Sequence, residues 1–389
     1  MKTPLVISGL ILMIAIASFS CKKTSGTDES VAKYSSEPVL PAYTENYEVS
    51  ANDNLATLGR VLFYDKNLSL NNSVACGSCH EQSKAFCDNM QFSTGLENMK
   101  TPRNSPSIFA KQGRLFWDGR ASSFTDLVLR PIQNHIEMGI TDMKALSDKI
   151  GKTDYYKPLF EKAFNGNSTV DESKIRTALT EFLRNFNFSK NKFSASAQGQ
   201  SKLSASEELG KDLFFGRAQC ANCHHIEGGF GTANPGGYGF TDESHNIGLD
   251  AVTRDQGVGG ISGTSSQAGA FMVPVLLNVE FTGPYMHDGR FKTLEEVVEH
   301  YNSGVKNHPN LDPQLRDIGG LEQMTETELL LKFDKNGNGV IEDNEVSSIP
   351  PRRLGLSAAE KRGLVDFLKT LSDPAIFQDK RFSNPFVSK

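Results

Sequence analysis

Apolar residues recur three and four positions apart in several stretches of the chain, and this spacing predicts α-helices. In range 171–186, Ile175 and Leu179 fall on one side together with other apolar residues. Ranges 125–130 and 294–301 show the same spacing. No stretch alternates apolar and polar residues convincingly, so strands are not expected to dominate. The pattern therefore indicates a mainly α fold.

Further boundaries follow from local residue types. Ser357 and Glu360 form a capping-box pattern, which predicts a helix beginning after Ser357. Glycine-rich sequence over 228–269 predicts loops. The Ser-, Ala- and Gln-rich range 190–206 predicts an interdomain linker.

The N-terminal part of the chain has a different pattern. An apolar run over 5–19 is shorter than the ~20 residues needed to cross a bilayer, so we predict a signal peptide over 1–20. Cys21 follows in a sequence similar to a bacterial lipoprotein cleavage box, although Ser18 stands where Leu is usual. We expect an exported, periplasmic protein, anchored by a lipid on Cys21 through a polar tether over 21–45. The alternative is ordinary cleavage nearby, with Cys21 incidental.

Composition narrows the choice of function. The chain has 389 residues, of which 38% are hydrophobic and 22% are charged. At roughly 100–200 residues per domain, this length predicts about two globular domains. The formal net charge of -5 provides no general basic field, which argues against nucleic-acid binding. Six cysteines are too few for a disulfide scaffold of this size.

The positions of the cysteines matter more than their number. C-x-x-C-H motifs occupy 76–80 and 220–224, whereas a chain of this composition would contain about 0.002 such motifs by chance. Two thiols at this spacing can form thioethers to a porphyrin, and the following His can bind its iron. A zinc site would need four ligands, and a thiol redox pair would not need the His. Two covalently bound haem c groups are therefore predicted. Their residues are Cys76, Cys79, His80, Cys220, Cys223 and His224. Cys87 is left over and is expected to be a small buried residue.

Similar landmarks surround both motifs. A Leu-Gly-basic pattern at 58–63 precedes the first motif and recurs at 209–214 before the second. Asp-Gly-Arg at 118–120 recurs at 288–290. These repeats predict an internal duplication. The predicted units are a first haem domain over 46–195 and a second over 200–372.

The motifs also occur with sequences typical of one family. These are Arg-Asn-Ser-Pro at 103–106, Phe-Trp-Asp-Gly-Arg at 116–120, Glu137-Met138 and Tyr-Met-His-Asp-Gly-Arg at 285–290. In this combination the chain resembles the bacterial di-haem cytochrome c peroxidase family, which includes MauG-type enzymes that oxidise a partner protein. The resemblance implies two cytochrome c-like domains with the active site near their interface. It also implies that a tail over 373–389 packs back on the first domain.

The resemblance assigns roles to the two haems and to nearby residues. It implies peroxide reduction at the first haem, on His80, and electron storage and transfer at the second, on His224. Trp117 matches an aromatic relay between the haems; the alternative is a buried core Trp. Glu137 matches the distal acid–base residue, which would move a proton between the two oxygens of peroxide. The alternatives are a solvated surface Glu and a role for His135 instead.

Two departures from the family concern the first haem. Leu96 stands where many members carry a His that blocks the iron until the enzyme is reduced. Because leucine cannot bind iron, we predict a first haem that is open in the oxidised protein. Leu127 replaces the family's distal Gln, so Glu137 would work without that neighbour.

The sixth ligand of the second haem is usually Met in this family. The resemblance places Tyr301 there, as in MauG-type members, and a tyrosinate ligand would favour ferric iron. Met286 and Met272 remain alternative ligands, and Tyr301 could instead be a helix core residue. His287, at the place equivalent to Trp117, is expected at the domain interface rather than as a ligand.

Calcium is predicted at two places on different grounds. The resemblance implies an interdomain Ca²⁺ bound by Asn104 and by the carbonyls of Thr282 and Pro284. Separately, range 334–345 fits the EF-hand loop pattern, and 325–333 is a suitable entering helix. The alternative is a metal-free, Asx-rich turn. The predicted loop ligands are Asp334, Asn336, Asn338, Val340, Glu342 and Glu345.

These inferences predict an oxidoreductase that reduces hydrogen peroxide to water. Its electrons would come from a small cytochrome c or a cupredoxin. The alternatives are a MauG-type oxidase acting on a protein and a plain di-haem electron carrier. Glu137 and an open first haem argue against the carrier. The resemblance makes a homodimer possible, and no feature of the sequence decides it.

Overall fold

The computed structural model describes residues 53–108, 113–186, 190–226, 243–317, 325–334, 337 and 347–386. The predicted signal peptide, Cys21 and the tether lie outside these residues. The structure is mainly helical, with 46% helix and 6% strand, as the apolar pattern predicted. Within the described ranges, no helix is both long enough and apolar enough to cross a membrane.

The helices are short and are joined by irregular segments. The α-helices are α1 Asp53–Tyr64, α2 Cys76–Cys79, α3 Phe124–Leu127, α4 Arg130–Gln133, α5 Met143–Gly151, α6 Tyr156–Ala163, α7 Glu172–Arg184, α8 Lys192–Ala197, α9 Ala205–Phe215, α10 Val258–Ser262, α11 Leu294–Glu299, α12 Glu326–Phe333 and α13 Ala358–Lys369. A π-helical turn, His300–Gly304, follows α11. The 3₁₀ segments are Lys66–Leu68, Gln82–Lys84, Leu96–Asn98, Cys220–Asn222, Ser265–Gln267, Val279–Phe281, Pro313–Leu315, Pro374–Phe377 and Lys380–Phe382. Two antiparallel strands, β1 Ser244–His245 and β2 Phe271–Met272, pair with each other.

Each half of the chain packs its first long helix against its last at a glycine. A Cβ on Gly59 of α1 would lie 2.0 Å from the carbonyl oxygen of Ala178 on α7. A Cβ on Gly210 of α9 would lie 1.8 Å from the carbonyl oxygen of Gly363 on α13. Only glycine allows the helices to approach this closely, so the same contact fixes both pairs.

The two Asp-Gly-Arg turns are also built alike. The Leu115 N–H donates to the Ala121 carbonyl at 2.7 Å, and the Tyr285 N–H donates to the Phe291 carbonyl at 2.7 Å. A capped helix follows each turn, with Ser123 and Thr293 accepting hydrogen bonds at the N-termini of α3 and α11. The two Asp-Gly-Arg turns therefore have the same local structure, and both lie at the space between the halves.

Sequence-based helix predictions are confirmed where caps and periodicity agree. Asp171 accepts from the Lys174 N–H at 2.8 Å and begins α7. Ser357 and Glu360 form the predicted capping box of α13. Range 125–130 was predicted as one helix, but it divides between α3 and α4, where Pro131 lacks the N–H needed to continue a helix.

The predicted linker contains structure of its own. Within 190–206, the side chain of Asn191 caps α8 by accepting from the Ser194 N–H at 2.9 Å. Phe193 is buried on this helix and its ring lies 5.3 Å from that of Phe367. The predicted linker therefore contains a short helix, and one buried aromatic residue packs it against the second half.

The C-terminal segment lies on the first half. The Tyr64 hydroxyl donates to the Phe382 carbonyl at 2.6 Å, and Arg60 Nε donates to the Ser383 carbonyl at 2.8 Å. The Phe382 ring lies 4.8 Å from that of Phe186 and 6.3 Å from that of Phe86. This aromatic cluster supports the segment that follows the first C-x-x-C-H motif.

Candidate active site

A cavity of about 460 Å³, lined mainly by apolar side chains, contacts both C-x-x-C-H motifs. The motif residues on its wall are Cys79, His80, Cys220, Cys223 and His224. Trp117, Glu137 and Tyr301 line the same cavity. The folded chain thus brings together residues from both halves around one space.

The first motif is shaped to present a histidine. It forms α2, and the His80 N–H donates to the Cys76 carbonyl at 3.0 Å. His80 Nδ1 lies 2.9 Å from the Phe86 carbonyl oxygen, which can only accept, so Nδ1 carries the hydrogen. Nε2 is then left as the ligand atom, and burial lowers the pKa of His80, which favours the neutral ring. This is the arrangement that an iron-binding histidine needs, so the residues fit a haem.

The second motif has a related backbone. The His224 N–H donates to the Cys220 carbonyl at 2.9 Å, which matches the corresponding bond of the first motif. Tyr301 lies in the π-helical turn near Cys220 and Cys223, and burial raises the pKa of its phenol. In the part of the chain that the structure describes, no group hydrogen-bonds to the Tyr301 hydroxyl. An oxygen donor therefore faces the cavity beside the second motif.

Glu137 lies on the cavity wall beside the first motif. Its Oε1 accepts a hydrogen bond from Asn134 Nδ2 at 2.7 Å. Burial raises the pKa of Glu137, while the positive charge of Arg120 and the Asn134 bond oppose this rise. His135, the competing candidate, is exposed and is not among the residues that line the cavity.

The two leucines that depart from the family occupy different places. Leu96 is buried, and its N–H donates to the carbonyls of Ile136 and Glu137 at 2.8 and 3.0 Å. It packs behind the Glu137 segment and does not line the cavity. Leu127 does line the cavity. Among the described residues, the histidines on the cavity wall are His80, His224, His245 and His287.

Trp117 is bonded to the first half through its ring and to the second half through its backbone. Its indole Nε1–H donates to the Asn104 carbonyl at 2.9 Å, and its own carbonyl accepts from the Met272 N–H at 2.8 Å. His287, the equivalent residue of the second half, stacks on Phe271 with ring centroids 3.7 Å apart. The alternative ligands Met272 and Met286 line the same cavity.

The residues predicted to hold the interdomain calcium all line the cavity: Asn104, Thr282 and Pro284. Asn104 Nδ2 donates to the Met90 carbonyl at 2.8 Å. Asn89 Nδ2 donates to the carbonyl of Gly283 at 2.7 Å, which ties the neighbouring segment to the 282–284 turn.

The EF-hand-like loop is described only at two positions. The Gly337 N–H donates to Asp334 Oδ1 at 2.7 Å. The remaining predicted ligands Asn336, Asn338, Val340, Glu342 and Glu345 lie outside the described residues. Within the described ranges, no group of three or more His, Cys, Asp or Glu side chains could hold a metal ion.

Some polar groups around the cavity escaped the sequence analysis. Arg103 donates through Nη1 to Asp118 Oδ2 at 2.6 Å and through Nε to Asp255 Oδ2 at 2.7 Å. His245 Nδ1 lies 2.5 Å from Asp312 Oδ2. Arg103 belongs to the Arg-Asn-Ser-Pro motif at 103–106, but no sequence signal connects it to Asp255. Asn134, three residues before Glu137, was the one partner that local spacing could have suggested.

Two haem-attachment motifs around one cavity, with a buried carboxyl and a tyrosine on its wall, define a di-haem c oxidoreductase. The sequence matches the family model for di-haem cytochrome c peroxidase over residues 53–202. The chain is 33% identical to the methylamine utilization protein MauG of Methylorubrum extorquens, covering 67% of this chain and 71% of that protein. It is 31% identical to the cytochrome c551 peroxidase of Nitrosomonas europaea, covering 68% and 76%. The chain therefore belongs to the di-haem cytochrome c peroxidase family.

Solved structures agree with this assignment. A MauG-like protein associated with microbial copper homeostasis has 29% identity and a TM-score of 0.68, covering 92% of this chain and 99% of that chain. The diheme peroxidase BthA of Burkholderia thailandensis shares the fold, with 22% identity and a TM-score of 0.61 over 82% and 86% of the two chains. The protein is thus a di-haem peroxidase or MauG-type oxidase, an oxidoreductase that uses peroxide and carries two haem c groups.

Proposed function

We propose that this enzyme reduces hydrogen peroxide to water with Glu137 as its acid–base residue. The observation that carries the proposal is the Glu137 carboxyl, which lines the cavity beside the first motif and has a raised pKa. Bound haem supplies an iron that can bind peroxide and exchange electrons with it. Glu137 takes a proton from one peroxide oxygen and delivers it to the other, which leaves as water.

The surroundings of Glu137 suit this task. Asn134 holds one carboxyl oxygen and leaves the other available to the cavity. Burial keeps the carboxyl protonated to higher pH than an exposed Glu, so it can give as well as take a proton. Leu127 and other apolar groups limit competing water at the reacting oxygens. These features support a proton shuttle that operates without a distal Gln.

Steady-state peroxide turnover with reduced cytochrome c tests the proposal. Glu137→Gln keeps the shape of the side chain and removes the titrating proton, so we expect turnover to fall about 10²–10⁴-fold. Glu97→Gln is the matched control, because Glu97 is exposed on the neighbouring loop. Turnover of Glu137→Gln within a factor of two of the control would rule out the proposed role.

A MauG-type activity on a protein substrate is the second candidate. Tyr301 beside the second motif supports it, as does the similarity to proteins named MauG. In this reaction the second site stores one oxidising equivalent and Trp117 connects it to the first. Rapid reaction with peroxide, without turnover of cytochrome c or a cupredoxin, would favour this candidate. Turnover with either donor would favour the peroxidase.

The proposed domain organisation is an internal duplication. The glycine contacts of α1 with α7 and of α9 with α13 support it, as do the matching Asp-Gly-Arg turns. The proposed units are domains over 46–195 and 200–372, followed by a tail over 373–389. Separate expression of 200–372 with haem attachment, giving a folded product, would support this division.

Two calcium sites belong to the proposal. Asn104, Thr282 and Pro284 all line the cavity, which supports an interdomain site. The loop over 334–345 rests on its sequence pattern, and α12 supplies the entering helix. Calorimetric titration of chelated protein should give two Ca²⁺ ions per chain. Glu345→Gln should remove one of them and leave the other.

The proposal also includes export and a lipid anchor on Cys21. The apolar run over 5–19 and the cysteine that follows support it. Cys21→Ser should release the protein from the membrane fraction into the periplasmic fraction. If the wild type and Cys21→Ser are distributed equally between the two fractions, the lipid anchor is ruled out.

A further inference from the structure

The turn that carries Tyr301 has an unusual backbone. α11 ends at Glu299, and the chain continues as a π-helical turn over His300–Gly304. A π turn contains one more residue per hydrogen-bonded ring than an α-helix. Since one residue corresponds to about 100° around an α-helix, relaxation to α geometry would point Tyr301 in a different direction. Whatever maintains the π turn therefore determines where the phenol lies.

Asn302 makes three of the hydrogen bonds that hold this turn. Its carbonyl accepts from the Leu354 N–H at 3.0 Å, and its Oδ1 accepts from the Leu356 N–H at 2.8 Å. Its Nδ2 donates to Glu299 Oε1 at 3.1 Å. The residue is 8% exposed, so these bonds form away from water. One buried side chain thus joins the turn to a segment more than fifty residues later in the chain.

Neighbouring residues attach the turn to other parts of the second half. His300 Nε2 donates to the Ile247 carbonyl at 2.9 Å. Arg353 donates to the Ser303 carbonyl, and Lys361 on α13 pairs with Glu299 at 2.6 Å. These contacts surround Asn302, the residue directly after Tyr301, and leave the turn little freedom to rotate.

The segment bound to Asn302 also contacts the second C-x-x-C-H motif. We define residues 352–356 as the clamp segment. Arg352 donates to the Ala218 carbonyl at 3.2 Å and to the side chain of Gln219, immediately before Cys220. Arg217 Nη1 donates to the Leu354 carbonyl at 3.0 Å. One segment therefore contacts both the Tyr301 turn and the chain that enters the second motif.

We propose that Asn302 is a positioning residue that fixes Tyr301 at the second haem through the clamp segment. The inference rests on the proposed binding of iron by Tyr301 and adds the device that maintains the geometry. The clamp segment keeps the turn and the motif in register because it is hydrogen-bonded to both. A substitution at Asn302 removes its side-chain bonds to the clamp segment and leaves the contacts of that segment with the second C-x-x-C-H motif in place.

The test replaces Asn302 with leucine, which has a similar size and no hydrogen-bonding groups. In the purified two-haem protein, the electron paramagnetic resonance spectrum and the reduction potential of the second haem are measured. We expect the Asn302→Leu spectrum to change to that of Tyr301→Phe. Asn302→Asp in the Glu299→Gln background keeps the acceptor for the Leu356 N–H without placing two carboxylates side by side, and should restore at least half of the original signal. In the Tyr301→Phe background, Asn302→Leu should add no further change.

The control separates positioning from general stability. Asn191→Ala removes a buried capping side chain on α8, and it should lower the melting temperature without altering the second haem's spectrum. If Tyr301→Phe leaves the spectrum unchanged, the proposed ligand is wrong. If Tyr301→Phe changes it and Asn302→Leu does not, the ligand stands and the positioning role is overturned.

Discussion

The two halves of the molecule share a framework but differ in what they present to the cavity. Both pack their first and last long helices at a glycine, and both deliver an Asp-Gly-Arg turn to the centre. The first half presents Glu137, and the second presents Tyr301. In the proposed function, these side chains separate proton transfer in the first half from electron storage in the second.

The halves also differ in how these residues are held. Glu137 is held locally, by Asn134 three residues earlier. Tyr301 depends on long-range contacts, because Asn302 bonds to Leu354 and Leu356. The Glu137 side chain is thus bonded within a short segment, although its backbone carbonyl accepts from Leu96, whereas the turn that carries Tyr301 is bonded to residues more than fifty positions away.

The largest expected effect concerns the C-terminal segment, whose Phe382 packs in an aromatic cluster of the first half. Phe382→Ala should lower the free energy of unfolding by about 3–5 kcal/mol, because a buried aromatic ring is lost from the cluster with Phe86 and Phe186. Denaturant titration measures this. Phe386→Ala, at a partly buried ring of the same segment, should cost clearly less. Equal losses would contradict a specific role for Phe382.

A smaller effect tests whether the frameworks are equivalent. Gly59→Ala and Gly210→Ala should each destabilise the protein by about 1–3 kcal/mol, because the new Cβ meets a backbone carbonyl of the facing helix. Gly151→Ala is the control, since a Cβ there would lie 3.6 Å from the Val170 side chain, an ordinary van der Waals contact, and should not destabilise the protein. If only one of the two substitutions destabilises the protein, the two helix pairs are not held by equivalent glycine contacts.

The smallest expected effect is on the stability of the protein at acid pH, and it concerns the ion pairs that Arg103 makes with Asp118 and Asp255. Burial alone would raise the pKa values of Asp118 and Asp255, but their hydrogen bonds with Arg103 outweigh it and lower both. This stabilisation is present above the unfolded pKa, near pH 4, and is lost as pH falls through the lower folded values.

Unfolding of wild type and Arg103→Gln at pH 7 and pH 3 measures this contribution. The variant should be less stable at pH 7 by about 1 kcal/mol in total, because the ion pairs are partly exposed, and the difference should shrink at pH 3. Lys144→Gln removes an exposed ion pair and should change little at either pH. A difference for Arg103→Gln that does not depend on pH would contradict the assignment.

Local sequence signals predicted some elements well. The caps of α7 and α13 and the two haem motifs need only neighbouring residues, so they could be read directly. The π turn could not be predicted, because its hydrogen bonds come from residues that are distant in sequence. The Arg103–Asp255 pair could not be predicted for the same reason, because it joins positions 152 residues apart.

We propose an open first haem beside Glu137 and a second haem bound by Tyr301. The most direct measurement is the electron paramagnetic resonance spectrum of the oxidised two-haem protein, taken without prior reduction. The account predicts a high-spin ferric signal from the first haem and a separate signal from the second that changes in Tyr301→Phe. Two low-spin, bis-histidine signals that do not respond to Tyr301→Phe would contradict it.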